Sequence, residues 1–155
     1  MGKKNKKVGP PREFETTDGE ETIRFILGRS QEQNDLIVRN AKKENPNYFW
    51  FHADKIPSCH AILFTDNPKL TKKQIQDVSN KIRDYSKLKK MNSGYVIYTK
   101  IKNIHLTDIP GRVVHGLNVV KRCQVRREFH RKNPKPEPKP ESKPESKSES
   151  KSELE

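Results

Sequence analysis

Tyr48-Phe49-Trp50-Phe51-His52, followed by Ile56-Pro57-Ser58-Cys59-His60 and Ala61-Ile62-Leu63-Phe64, is the stretch on which the fold turns. Seventeen residues hold the only tryptophan, three of six phenylalanines, two of five histidines and one of two cysteines. The surroundings are charged and polar, so this stretch is the expected centre of the core. Phe49–His52 and His60–Phe64 read as two strands, joined by a connection containing Pro57. Alternate residues of a strand share a face. Trp50 and His52 therefore point one way, Phe49 and Phe51 the other. One face is then expected to be core and the other free to present an indole and an imidazole. Such rings stack on unpaired bases, worth about 1–3 kcal/mol per base. The competing reading makes Trp50 core and both histidines hydrogen-bonded scaffold.

Upstream, Thr22–Leu27 has the look of a strand ended by Gly28. Ser30 and Gln33 have capping-box spacing and open a helix, with Leu36, Ile37 and Ala41 as its apolar face. Asn45-Pro46 stops it, because the residue before proline avoids helical angles. Downstream, Asp66-Asn67-Pro68 turns the chain, and Thr71 with Gln74 opens the longest helix, expected to run to about Leu88. Ile75, Val78, Ile82 and Tyr85 form its buried stripe. Strands are expected at Tyr95–Thr99, around Lys102–His105, at Arg112–Gly116 and over Val119–Val125, with a turn at Asp108-Ile109-Pro110-Gly111. The fold class is α+β: a mixed or mainly antiparallel sheet packed by two helices.

The two ends read differently. Residues 1–13 form a basic arm expected to be disordered, with a Lys cluster at Lys3-Lys4-Asn5-Lys6-Lys7. Residues 126–155 begin basic and pass into a Lys-Pro-Glu-Ser tetrapeptide repeat that has nothing to bury and is expected to stay disordered. Residues 14–125 are left as one domain. The chain of 155 residues carries 33 basic and 20 acidic side chains, net +13. The last 23 residues contribute none of that excess, so the positive field belongs to the domain and its flanks. Such a field attracts polyanions, nucleic acid first among them. No apolar run approaches the roughly 18 residues of a membrane span, and the N-terminus does not have the pattern of a secretory signal. Two cysteines give no disulfide framework, so a reducing, cytoplasmic setting is expected, with the nucleus as the alternative. No membrane partner is expected.

His52, Cys59 and His60 have the side-chain types of a zinc site, but a fourth ligand is not evident, and Cys123 stands far off. Cys59 with a histidine base is the weaker catalytic option, against a small buried cysteine. No Gly-rich phosphate loop is present, and no clustered carboxylates mark a hydrolase. The expectation is no catalytic residue, no metal and no cofactor. The basic residues say more. Lys72, Lys73, Lys81, Arg83 and Lys87 avoid the stripe of the long helix, and Lys89 and Lys90 follow its end. Cations favour a helix C-terminus in their own right, but this cluster exceeds what capping needs. A solvated charged face is the plain alternative. The candidate nucleic-acid contacts are Arg29, Trp50, His52, Lys55, His60, Arg83, Lys87, Lys89, Lys90 and Arg112.

At these residues the chain resembles the NFACT RNA-binding domain family. Trp50-Phe51-His52 and Pro57-Ser58-Cys59-His60 are similar to the family's Asp-x-Trp-Phe-His and Pro-Gly-Ser-His segments. Gly28-Arg29-Ser30-Gln31-Glu32-Gln33-Asn34-Asp35 is similar to its Gly-Arg-Asn-x-x-Gln-Asn-Asp segment. Tyr85-Ser86-Lys87 resembles its helix end, and Tyr95–Thr99 with Pro110-Gly111-Arg112-Val113 its closing strands. The resemblance covers about residues 22–118. Tyr48 stands where an aspartate is usual, and Ser58 and Cys59 replace the Gly-Ser pair, which implies a less extreme backbone there. The resemblance implies a non-catalytic module that binds structured RNA, ribosomal or transfer, in translation or ribosome quality control, with the ribosome as a partner. One eukaryotic branch of the family is linked to DNA, which makes a DNA-binding or sensing protein the first rival. A protein-docking adaptor with the tail as spacer is the second.

Overall fold

The computed structural model describes residues 9–116 and 119–127. Most of the basic arm and nearly all of the tail therefore lie outside the described residues. The chain order is β1 (Arg12–Asp18), β2 (Glu21–Leu27), α1 (Gln31–Glu44), β3 (Phe49–Ala53), β4 (Ala61–Leu63), α2 (Lys72–Asp84), β5 (Ser93–Lys100), β6 (His105–Leu106), β7 (Val113–Val114) and β8 (Lys121–Arg126). Short 3-10 turns cover Lys87–Lys90 and Ile101–Asn103. Six strands form one sheet in the order β1-β2-β4-β3-β5-β8, and β6-β7 form a separate ribbon. Every neighbouring pair runs antiparallel. The α+β class stands, with an antiparallel sheet and two helices.

β3 occupies the middle of the sheet, between β4 and β5. Its alternation sorts two cores. Phe49 and Phe51 join Phe25, Leu27, Leu63 and Val96 beneath Val78 and Ile82 of α2. Trp50 joins Ile62, Ile97, Ile101 and Ile104 beneath Ile37, Val38 and Ala41 of α1. The partition of side chains follows the strand period. Each face carries a helix, so the face expected to be free is largely covered, and of β3 only His52 stays half-buried. Trp50 is 1% exposed and Phe51 is fully buried. Burial of side chains this large contributes roughly 1.5–3 kcal/mol each.

Both helices start at the expected caps. Ser30 Oγ accepts the Gln33 N–H at 3.1 Å. The reciprocal bond shifts by one residue, because the Gln33 amide oxygen accepts from Arg29 N–H at 2.7 Å rather than from the cap itself. Thr71 and Gln74 form the complete box. Asn45 closes α1 before Pro46. In α1 the buried face is Ile37, Val38 and Ala41, and Leu36 is 47% exposed. α2 ends at Asp84 rather than near Leu88, and Tyr85, its C-cap, lies half-exposed outside the buried stripe. The lysines beyond belong to a separate turn capped by Ser86 and anchored by buried Leu88. The strand expected around Lys102–His105 is mostly a 3-10 turn, with only His105 and Leu106 in the ribbon.

β1 is the element the sequence reading omits, and it starts two residues before the boundary set at residue 14. It pairs with β2 along its whole length, from Arg12 opposite Leu27 to Asp18 opposite Glu21. Gly19 takes φ 64 at the first position of the two-residue turn, the left-handed geometry that a tight hairpin needs. Phe14 packs on Phe25 with ring centroids 5.5 Å apart.

A candidate nucleic-acid interface around His60

His60 immediately precedes β4 and is 1% exposed. Four hydrogen bonds fix it. Its N–H donates to Asn34 Oδ1 on α1 at 3.2 Å, and its carbonyl accepts from Gly28 N–H at 3.0 Å. Its Nδ1 accepts from the Trp50 indole N–H at 3.1 Å. Nδ1 therefore carries no proton. Nε2 must carry it, and it lies 3.0 Å from the Gly111 carbonyl, a pure acceptor. Burial, with His52 beside it, pushes the His60 pKa down to about 3. His60 is thus a neutral strut. It ties β4 to α1, to the end of β2, and to the loop that follows β6. Asp35 Oδ1 accepts the Gly111 N–H at 3.0 Å and holds the same loop from α1.

The close approach of β2 to α1 depends on Gly28. A Cβ there would lie 2.0 Å from Asn34 Oδ1. The glycine lets the strand end pass against the asparagine that receives His60.

His52 lies half-buried on the same face. Its ring stacks parallel to Trp50 at 5.7 Å between centroids and stands edge-on to His60 at 4.6 Å. Its Nδ1 is 2.6 Å from the Ala53 carbonyl. A carbonyl only accepts, so Nδ1 carries the proton, and Nε2 keeps a lone pair with no partner among the described residues. Burial pulls the His52 pKa below the usual imidazole value, against the opposing pull of the Ala53 hydrogen bond, so the ring is neutral at pH 7. His115 covers another side of the indole at 5.9 Å.

Two open clefts meet around these residues. The first, about 570 Å³, has Trp50, His52 and His60 at its base, and is walled by Asp54–Pro57 on one side and Ile109–Val113 on the other. Lys55 and Arg112 line it, and both are exposed. The second, about 660 Å³, surrounds the N-terminus of α1 and is lined by Arg12, Arg29, Lys87 and Lys90. Gln31 and Pro57 line both. Ser58 shapes the wall between them: its hydroxyl accepts Ala53 N–H at 3.0 Å and donates to the Cys59 carbonyl at 2.9 Å. Lys55 has φ 71, the only positive φ outside glycine among the described residues. In the loop that carries Ser58 and Cys59, the left-handed residue is Lys55.

Of the residues named from the sequence, Arg29, Lys55, Lys87, Lys90 and Arg112 are exposed and line these clefts, with His52 at the floor. Lys89 is exposed but lines neither. Three others are buried. Trp50 is sandwiched in the core and has no face for a base. His60 spends its polar atoms on scaffold. Arg83 is 9% exposed; it holds Asp84 at 2.8 Å and donates to the Arg126 carbonyl at 3.3 Å, which ties α2 to β8. Arg12, Gln31 and His115 also line these clefts. Arg12 was within reach through the Asp18-Gly19 hairpin signal, because pairing β1 with β2 sets Arg12 opposite Leu27 beside Gly28-Arg29. Nothing in the sequence marks His115. Cys59 lines the second cleft, but burial pushes its thiol up to about 11, so it is protonated at neutral pH. No group of three or more metal-ligating side chains is found among the described residues, and none of their helices is long and apolar enough to cross a membrane.

The model of the NFACT protein RNA binding domain matches residues 11–117. Among solved structures, the C-terminal part of the fibronectin/fibrinogen-binding protein from Streptococcus suis is similar, at 26% identity and a TM-score of 0.67. The match covers 81% of this chain and 49% of that one, so it spans about half of the bacterial structure. No curated protein matches.

Proposed function

Because the chain belongs to the NFACT RNA-binding domain family, we propose that it is a non-catalytic RNA-binding module that grips structured RNA, ribosomal or transfer, during translation or ribosome quality control. The observation that carries this reading is the pair of adjoining clefts. Arg12, Arg29, Lys87 and Lys90 line one, Lys55 and Arg112 the other. Spaced cations over a rigid sheet suit a phosphate backbone, which positions the ligand without reading its sequence. The N-terminus of α1 adds the partial positive charge of its free N–H groups.

The test is binding of the full chain to a transfer RNA and to a DNA hairpin of matched length, followed by fluorescence anisotropy over a salt series. RNA is expected to bind more tightly, with affinity falling steeply as salt rises. The 2′-hydroxyl is the chemical difference between the two ligands. DNA binding as tight as RNA would transfer the assignment to the DNA-binding rival, and no binding to either would leave the adaptor reading.

A further inference from the structure

We propose that the cleft over His52 is a pocket for one unpaired nucleobase bearing an exocyclic amino group, and that it discriminates against uracil. This rests on the nucleic-acid reading above and gives it a base preference. The cleft, about 570 Å³, is roomy enough for a base and open to solvent. Two acceptors in it are unpartnered among the described residues, beside Gln31, His115, Lys55 and Arg112, which also line it. One is His52 Nε2, whose lone pair is left over once Nδ1 donates to Ala53. The other is on Asp54, which lines the same cleft. Arg122 holds Asp54 Oδ2 at 2.6 Å, and Oδ1 has no partner among the described residues. Pro57, Ile109 and Pro110 give the walls apolar surface for the flat faces of a base. Lys55 and Arg112 flank the opening, where the phosphates on either side of an extruded base would lie.

Two acceptors select ligands that donate. Adenine, cytosine and guanine each carry an amino group, and uracil carries a carbonyl where cytosine has its amine. A uracil O4 facing His52 Nε2 would set acceptor against acceptor. The stack of His52 on Trp50 holds the ring in place, so the lone pair is presented without further ordering.

The clean comparison is between single-stranded hexamers of cytidine and of uridine, which are alike in size and backbone. Anisotropy titrations with the full chain are expected to give tighter binding of the cytidine hexamer by about fivefold, the worth of one net hydrogen bond. His52→Phe keeps a flat ring but removes the acceptor. It is expected to bring the ratio to about one, chiefly by weakening cytidine binding. A hexamer of the pyrimidin-2-one riboside, which is cytidine without its amino group, makes the same test on the unaltered protein and is expected to bind like uridine. Equal binding of the cytidine and uridine hexamers, or a cytidine preference that survives either change, overturns the proposal. Absence of the preference in the unaltered protein, alongside intact transfer-RNA binding and salt dependence, would sink the base pocket only. Absence of binding to every RNA would sink the pocket and the function it rests on together.

Discussion

Trp50 donates its indole N–H to Nδ1 of His60 across 3.1 Å inside the core, and this bond dictates the protonation state of the histidine. Protonating Nδ1 would set donor against donor and place an unpaired charge beside His52 in a buried site. The imidazole has its ordinary value near 6.5 in the unfolded chain and about 3 in the folded one. Between those values the unfolded state binds the extra proton, so stability rises with pH across the window. The contribution is fully present above about pH 6.5 and is lost progressively as pH falls toward 3. Urea unfolding at pH 7, 5 and 4 is expected to show the loss, on the order of a few kcal/mol by linkage. His60→Phe is expected to be less stable at pH 7 and to flatten this dependence. A variant that retained the full acid sensitivity would move its origin to other groups.

Trp50→Phe tests the same bond from the other side. It keeps most of the ring volume but leaves His60 Nδ1 a buried acceptor without a donor. A cost of about 1–3 kcal/mol is expected for the orphaned group, with some lost packing added. Thermal melts of Trp50→Phe, His60→Phe and the double variant would show the coupling: the double is expected to cost less than the sum, because the partners share one interaction.

Gly28 makes a second coupled pair with Asn34. Gly28→Ala would drive a methyl into the space of the Asn34 amide, 2.0 Å from its oxygen, and that oxygen receives the His60 N–H. Relief requires moving Asn34 and releasing β4. The expected destabilisation is about 1–3 kcal/mol from overpacking, with the lost hydrogen bond in addition. Asn34→Ala alone loses the bond without the clash. Adding Gly28→Ala to it is then expected to cost much less than Gly28→Ala costs by itself, as read from melting temperatures. Additive losses would place the strain elsewhere.

The difference between what was legible and what was not follows from the range of the forces involved. The helix starts at Ser30 and Thr71, the stop at Asn45-Pro46 and the sorting of Trp50 from Phe49 and Phe51 are local, and each appears where the sequence places it. β1 was illegible to a search for apolar runs because an edge strand buries little: of Arg12–Asp18 only Thr16 is buried. Its one sequence signal is the hairpin turn at Asp18-Gly19. In the candidate site, exposure decided the outcome. A helix on each face of β3 put Trp50 and His60 inside, and whether a ring in a strand meets solvent depends on distant α1 residues such as Asn34 and Ile37. Arg83 differs from its lysine neighbours in part because β8, more than forty residues later, brings the Arg126 carbonyl to it.

Lys55 combines strain with exposure. A left-handed angle costs an ordinary residue roughly 1–2 kcal/mol and glycine almost nothing. Lys55→Gly is therefore expected to raise stability by up to about 1 kcal/mol, the gain being offset in part by the greater freedom of the unfolded chain. The same change removes a cation from the cleft and is expected to weaken RNA binding. A more stable variant with poorer binding would mark the residue as one retained for contact. If binding were unaffected at every salt concentration, Lys55 would be a loop residue only.

The separation of Lys87 and Lys90 from Lys89 gives the sharpest test of where phosphates lie. All three are exposed on one 3-10 turn, so a diffuse field would treat them alike. Only Lys87 and Lys90 line the cleft that also holds Arg12, Arg29 and the start of α1. Each cation in contact with a phosphate releases condensed counterions and adds about 0.7 to the slope of log affinity against log salt on a single strand, or about 0.9 on a duplex. Lys87→Gln with Lys90→Gln is expected to lower affinity and to flatten the slope by roughly one to two units. Lys89→Gln is expected to change affinity slightly and the slope by well under one unit. These are surface substitutions away from packed contacts, so melting temperatures should stay close to the parent. Equal effects at all three lysines would replace a defined groove with a general positive field, and a flat response at Lys87 and Lys90 would remove this cleft from the binding surface.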